Sequence, residues 1–217
     1  MNHIHNIIIS YIISYMIACR QHLINLIIQK FSGDQFIDKS VSDGDINTKN
    51  TEETMMRIIR DDFLADSTVT LVIVGYETAR RPFVNSEIQA SLWGSDHNGL
   101  VTVVRDEVYD LIYQPSKCTS SLCNCGITLR SRTSNYEYYL PELVHKNHEY
   151  DGTTAHYTDD EVYSAILKYS TFIKNPERYI DEAFAKRKGN FNIKKKLSPE
   201  TAKIQSKPNN IFSRLLW

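Results

Sequence analysis

Residues 66–88 read DSTVTLVIVGYETARRPFVNSEI, and this stretch decides the fold. Thr68 to Val74 is rich in β-branched residues and carries no charge, the pattern of a strand buried on both faces of a parallel sheet. Gly75 closes the strand. Pro82 suits the first turn of a helix. Val84, Ile88 and Leu92 then recur in steps of four and give that helix, which runs to about Trp93, one buried stripe.

The same alternation extends outward in both directions. Ile7 to Tyr11 reads as a first buried strand, and Arg20 to Phe31 as a helix with Leu23, Ile24, Ile27 and Ile28 on one stripe. Residues 35–41 (QFIDKSV) form a short strand, followed by a loop over 42–50. Asn50 with Glu53 resembles a capping box, and its helix, reaching Leu64, buries Met55, Ile59 and Phe63. Leu100 to Val104 is a further buried strand. This order predicts an α/β, flavodoxin-like parallel sheet of four or five strands, with Val69–Val74 central and helices on both faces. Ligands of such sheets bind beyond the carboxyl ends of the strands, which places Gly75 to Phe83 at the functional edge.

Past Tyr113 the regularity fades. Thr158 to Ile173 reads as helical, with acids in its first turn, and Pro176 starts another helix through Lys188. Three parts are expected: an α/β domain over 1–150, a helical extension over 151–188, and a basic, flexible tail over 189–217. Residues 186–217 hold nine Lys/Arg and one acid, whereas the first 185 hold sixteen and twenty-five. An acidic body thus carries a basic tail, either as a solvated end or as a docking segment.

The net charge of −1 asks for no nucleic-acid or membrane partner. The apolar run from Ile7 to Cys19 is shorter than the ~20 residues that span a bilayer, so a buried strand and a cytoplasmic location are expected. Four cysteines are too few for a disulfide scaffold. Cys118, Cys123 and Cys125 are spaced Cys-x4-Cys-x-Cys, not a standard zinc pattern, although His145 and His148 follow; a surface loop of reduced thiols without metal is expected.

The motifs of dinucleotide-binding, P-loop, α/β-hydrolase and zinc-protease chemistry are absent. Attention therefore falls on Glu87, at the rim of the buried face of its helix, with Phe83 four residues earlier on the same side. A carboxylate beside an aromatic suits attack on a glycosidic bond, where positive charge develops on the sugar. Arg80 and Arg81 precede the helix, close enough to meet a phosphate or to pair with Glu87. The plainer reading is a first-turn acid favourable to the helix dipole, with Phe83 at the core edge. Asp38 and Asp45 also lie near strand ends but have no aromatic partner.

The strand Val69–Val74, followed by Gly75, Thr78, Arg81 and the run Phe83–Ile88, resembles the TIR-like domain of bacterial Thoeris-type defence proteins. Ile8-Ile9-Ser10-Tyr11, residues 36–45 and Ile58-Ile59-Arg60-Asp61 resemble it too. In TIR enzymes the corresponding helix carries Trp-x-x-x-Glu with a catalytic Glu; here Phe83 stands for the Trp and Glu87 matches the Glu. The resemblance implies a TIR-like fold and cleavage of NAD, as substrate rather than cofactor, at the nicotinamide–ribose bond. The product would be ADP-ribose or a nucleotide signal for a partner effector. Glu87 would be catalytic, Ser10, Tyr11 and Phe83 would line the pocket, and Thr78 and Arg81 would orient or neutralise the diphosphate. Residues 12–18 are apolar where the family has a polar loop. With Phe83 in place of Trp, this supports an alternative, a non-catalytic module that self-associates.

Overall fold

A computed structural model describes residues 7–10, 36–37, 51–64, 67–81, 84–119, 123 and 125–201. The expected helix over 20–31, the apolar residues 12–18 and Cys19 lie outside these residues.

Five parallel strands form one sheet in the order β2-β1-β3-β4-β7: β1 (Ile7–Ser10), β2 (Phe36–Ile37), β3 (Val69–Val74), β4 (Gly99–Val104) and β7 (Ser164–Lys168). β3 lies in the middle, paired with Ile7–Ser10 on one side and with Gly99–Val104 on the other. Side chains alternate across the sheet with the period of two that a pleated strand imposes. Val69, Leu71, Val101, Val103, Ala165 and Leu167 point to one face and pack with Phe172, Ile180 and Ala183. Val72, Val74, Leu100, Val104 and Ile166 point to the other.

Helix α1 (Glu52–Ile58) is capped by Thr51, whose Oγ1 accepts from Thr54 N at 3.3 Å. The cap is therefore one residue later than the Asn50 expected from the sequence. A π-helical stretch, Ile59–Leu64, continues α1. Its wider turn brings i and i+5 onto one side, so Ile59 and Leu64 share a core cluster. Helix α2 (Val84–Leu92) buries Val84, Ile88 and Leu92 against the sheet, as its spacing required. Helix α3 (Asp106–Ile112) adds Val108 and Ile112 to the same cluster.

The segment after Ile112 departs most from expectation. An antiparallel hairpin, β5 (Tyr113–Lys117) with β6 (Thr128–Arg132), leaves the sheet, and short helices α4 (Tyr136–Tyr139) and α5 (Glu142–Lys146) follow. The expected helix over 158–173 is instead a 3-10 turn (Asp159–Glu161), the edge strand β7 and helix α6 (Tyr169–Phe172). Thr158 does form a capping box with Glu161, so the start signal was real. Val162 is already extended, and Ala165, Ile166 and Leu167 are buried on both faces of the sheet. Helix α7 (Pro176–Lys186) then packs Ile180 and Ala183 beneath β3 and β4. The sheet therefore continues past residue 150, and α7 is part of the domain rather than an appendage.

The expected flexible tail is docked as far as it is described. Asn147 exchanges two hydrogen bonds with the backbone of Lys194, each 2.9 Å. Ser198 donates from N and Oγ to the Glu142 carboxylate, at 2.7 and 2.9 Å. Phe191, Ile193 and Leu197 pack against the core. Truncation after Lys188 is accordingly expected to lower the unfolding free energy by about 3 kcal/mol, from the apolar area of three partly buried side chains. Urea denaturation checks this; an unchanged midpoint would show that these contacts contribute nothing.

Candidate active site

Ser10 ends β1 opposite Val72 of β3, near the carboxyl edge where α2 begins above the sheet. Glu87 lies in the first turn of α2 and is only 3% exposed. It is thus an interior carboxylate and not the rim group that its position in sequence suggested. Its flank follows from helix geometry. Ala90, three residues on, packs with Met56, Ile59 and Leu64, so Glu87 shares the side of α2 that faces α1. Asn85 lies about 200° away and faces α5, its Oδ1 accepting from Leu143 N at 3.4 Å. Tyr11, Phe83, Asp38 and Asp45 lie outside the described residues.

Thr78 does not present its hydroxyl to a ligand. It is 1% exposed; its Oγ1 accepts from Gly75 N at 2.8 Å and donates to Ile73 O at 3.4 Å. These bonds fold the β3–α2 turn onto itself, which makes Thr78 a shaping residue and corrects its expected diphosphate contact. Arg80 pairs with Glu77 at 3.2 Å, on the surface, and lies over the Tyr138 ring at 4.5 Å. Arg81 is half-buried and helps line a cavity of about 680 Å³ together with Asn85, Tyr138, Glu142, His145 and Lys146. Glu87 does not line it. The structure therefore gathers Arg81 and Asn85 on the α5 side of α2 and sets Glu87 on the α1 side.

The cavity's charge is partly neutralised from within. Burial pushes the Glu142 carboxyl up, but hydrogen bonds from Lys146, Thr201 and Ser198 outweigh it and hold the group at about 2. Burial lowers the His145 imidazole. Neither Asn85 nor Glu142 was singled out from the sequence, because Leu143, which bonds Asn85, and Ser198, which bonds Glu142, are each remote along the chain.

A second polar cluster was also missed, although the alternating arginines of β6 (TLRSR) signalled it: period two places Arg130 and Arg132 on one face. Arg130 pairs with Asp159, donates to Ile166 O and Tyr109 Oη at 2.9 Å each, and lies over the Tyr113 ring at 4.7 Å. Burial alone would lower the Arg130 guanidinium, but Asp159 and the tyrosines raise it net. His148 Nδ1 donates to Ser164 O at 2.7 Å, which leaves Nε2 to accept from Arg130 at 3.3 Å. The ring is thus neutral. Burial, with Arg130, Arg132 and Lys186 nearby, pulls it down to about 3 against the opposing bond to Ser164.

That depression predicts a pH dependence. Between about pH 3 and the ordinary histidine value near 6.5, the unfolded chain binds a proton that the folded chain refuses. The contribution of His148 is complete above about 6.5 and is lost as pH falls, by about 2 kcal/mol between pH 7 and 5. Urea denaturation across this range is expected to show that slope, reduced in His148→Gln. Equal slopes in parent and variant would rule His148 out as its source.

The three loop cysteines were expected in a metal-free surface loop. Cys125 is exposed and Cys118 and Cys123 are half-buried, and all three converge with His156, a residue the sequence reading did not include. Their sulfur atoms and His156 Nε2 all lie within 4.8 Å of one another. His145 and His148, nearer in sequence, belong to the cavity and to the arginine cluster.

The strand order 2-1-3-4-7, with a buried acid in the helix after the central strand, defines a doubly wound domain of the flavodoxin-like class. Within it, residues 9–109 match the family described as Thoeris protein ThsB, TIR-like domain, so this segment is similar to a TIR-like domain of the Thoeris type. Comparison with curated proteins and with solved structures gave no match. Among the described residues no helix is long and apolar enough to cross a membrane. The match ends within α3, so the hairpin, the cysteine cluster, β7 and α7 lie beyond it.

Proposed function

We propose that this protein is a cytoplasmic NAD-cleaving enzyme of antiphage defence, with Glu87 as its essential carboxylate. One observation carries the reading: within the matched segment, Glu87 occupies the first turn of the helix that follows the central strand, shielded from solvent at 3% exposure. Charge interactions in a shielded site exceed those in water several-fold.

The chemistry needs little else. The bond between ribose C1′ and the nicotinamide nitrogen breaks, and its electron pair neutralises the pyridinium, so nicotinamide leaves as a neutral base. Positive charge grows on the ribose, where the Glu87 carboxylate stabilises it. Water then attacks C1′ and releases a proton, giving ADP-ribose; attack by a group of the nucleotide itself gives a cyclised signal for a partner effector. Ser10, Tyr11 and Phe83 are assigned to the pocket wall, and Arg81 to the diphosphate. Thr78 is left out of this set, because its hydroxyl is committed to the backbone.

The test is nicotinamide release from NAD by the purified full chain, alone and with lysate from phage-infected cells. Release in either condition supports the enzyme. A non-catalytic, self-associating module is the second reading, favoured by the inward-turned Thr78 and by the cavity beside Arg81, which Glu87 does not line. No turnover in both conditions, with concentration-dependent association, would replace the first reading by the second.

A further inference from the structure

The connection between β5 and β6 has ten residues, 118–127, and is closed at its base by Cys118 N donating to Ile127 O at 2.9 Å. Cys118 stands at its start, and Cys123 and Cys125 on its return, just before Gly126 turns the chain with a φ of 62°. His156 arrives from a separate loop. Its approach is ordered by Thr154, which donates to His156 O at 2.7 Å and bonds Tyr150 Oη at 2.6 Å. Cys123 Sγ lies 3.2 Å from Cys118 Sγ, 3.4 Å from Cys125 Sγ and 2.9 Å from His156 Nε2, which is 3.2 Å from Cys125 Sγ.

Hydrogen bonding accounts poorly for this convergence. A thiol is a weak donor and a weak acceptor, and one imidazole nitrogen has a single proton or a single lone pair, yet two sulfurs crowd it. A disulfide accounts for it no better, since it joins two sulfurs at about 2.05 Å and leaves the third thiol and the imidazole without a purpose. Three sulfurs and one nitrogen around a common centre are the donor set of a structural zinc ion. Bond lengths of about 2.3 Å to sulfur and 2.0 Å to nitrogen place tetrahedral ligands about 3.5–3.8 Å apart, a little wider than seen here.

A second, independent observation is that the hairpin, held to the domain by Arg130 and Arg132 of β6, buries little toward its outer end. Of β5, only Tyr113 is buried; the other four residues are exposed, and β6 alternates between exposed and half-buried. A two-stranded hairpin that buries so little is marginal on its own. We infer that Cys118, Cys123, Cys125 and His156 bind one zinc ion, which ties the tip of the β5–β6 hairpin to the 150–158 loop. With four protein ligands the site is closed and structural, leaving no position for water or substrate. Binding releases the protons of the three thiols, and the bound centre carries a net charge of −1. The loop that it anchors leads into Asp159, so the ion also sets the spacing across which Arg130 meets that carboxylate. The inference does not depend on the NAD reading.

The test is the metal content of untagged full-length protein, followed by exchange of the metal for cobalt(II). One zinc per chain is expected. The cobalt form should show sulfur-to-cobalt charge transfer and the intense visible bands of a tetrahedral site. Cys123→Ser and His156→Ala should lower bound metal at least about tenfold, a 10- to 100-fold effect being usual for weakened metal shells. His156→Cys, which restores four ligands, should retain it. Should the substitutions prevent folding, chelation of the parent decides: three thiols should become reactive, and amide exchange should rise first in residues 113–132. Protein that lacks zinc and gives an octahedral cobalt spectrum, or that holds a Cys118–Cys123 disulfide, would overturn the assignment.

Discussion

Gly99→Ala is expected to destabilise the protein by about 3 kcal/mol, the upper part of the range for overpacked cores. Gly99 opens β4, donates to Thr68 O at 2.9 Å, and lies directly under α7. A Cβ at this position would overlap the carbonyl group of Ala183 and stand 3.1 Å from Phe184 N. All of these atoms are backbone, so no side-chain rotation relieves the overlap. Either α7 lifts or β4 sinks. Lifting α7 would withdraw Ile180 and Ala183 from Val69, Leu71, Val101 and Phe172. Denaturant unfolding at constant m checks the expectation. A change below about 0.5 kcal/mol, the size of an ordinary surface substitution, would mean that α7 is free to shift and is not integral to the domain.

That position also shows where the sequence was informative and where it was not. The unbroken apolar run of β3 and the four-residue steps of α2 depend on neighbours close in sequence, and both elements were legible within a residue or two. β7 was not. Its five residues follow a genuine capping box, and a capping signal reads the same whether the chain continues as a helix or turns at once into a strand. The choice is made by β4, some sixty residues earlier, which offers an unpaired edge to Ala165, Ile166 and Leu167. The docked segment after Lys188 was illegible for a related reason. Its lysines look solvated, yet Lys194 and Lys195 bond through their backbone groups, Lys195 Nζ donates to Gly94 O at 2.7 Å, and the apolar residues between the charges pack on the core.

The candidate site divides in the same way. Local spacing singled out Glu87, and the match over residues 9–109 gives the domain around it. Its depth was not legible, because burial comes from α1 and its π-helical continuation packing on α2, with the whole of strand β3 lying between them in sequence. Thr78 was misread because a hydroxyl three residues after a glycine serves a turn as readily as a ligand. The cysteine cluster escaped because its fourth member lies thirty-one residues beyond Cys125.

Glu87→Gln is expected to reduce NAD cleavage by about 10²–10³-fold, the usual cost of removing one group that stabilises transition-state charge. The change keeps the side chain's shape and removes only its charge. A carboxylate that faces the sugar only as charge develops acts in the transition state, so kcat should fall with KM little changed. The burial of Glu87 makes a folding control necessary, and the unfolding midpoint of the variant serves as one. The decisive measurement is therefore nicotinamide release per unit time by parent and Glu87→Gln protein, side by side, under whichever condition activates the parent. Loss of at least about a hundredfold with an unchanged midpoint is the predicted result. Turnover by the folded variant within a few-fold of the parent would contradict the assignment of Glu87 as the catalytic carboxylate.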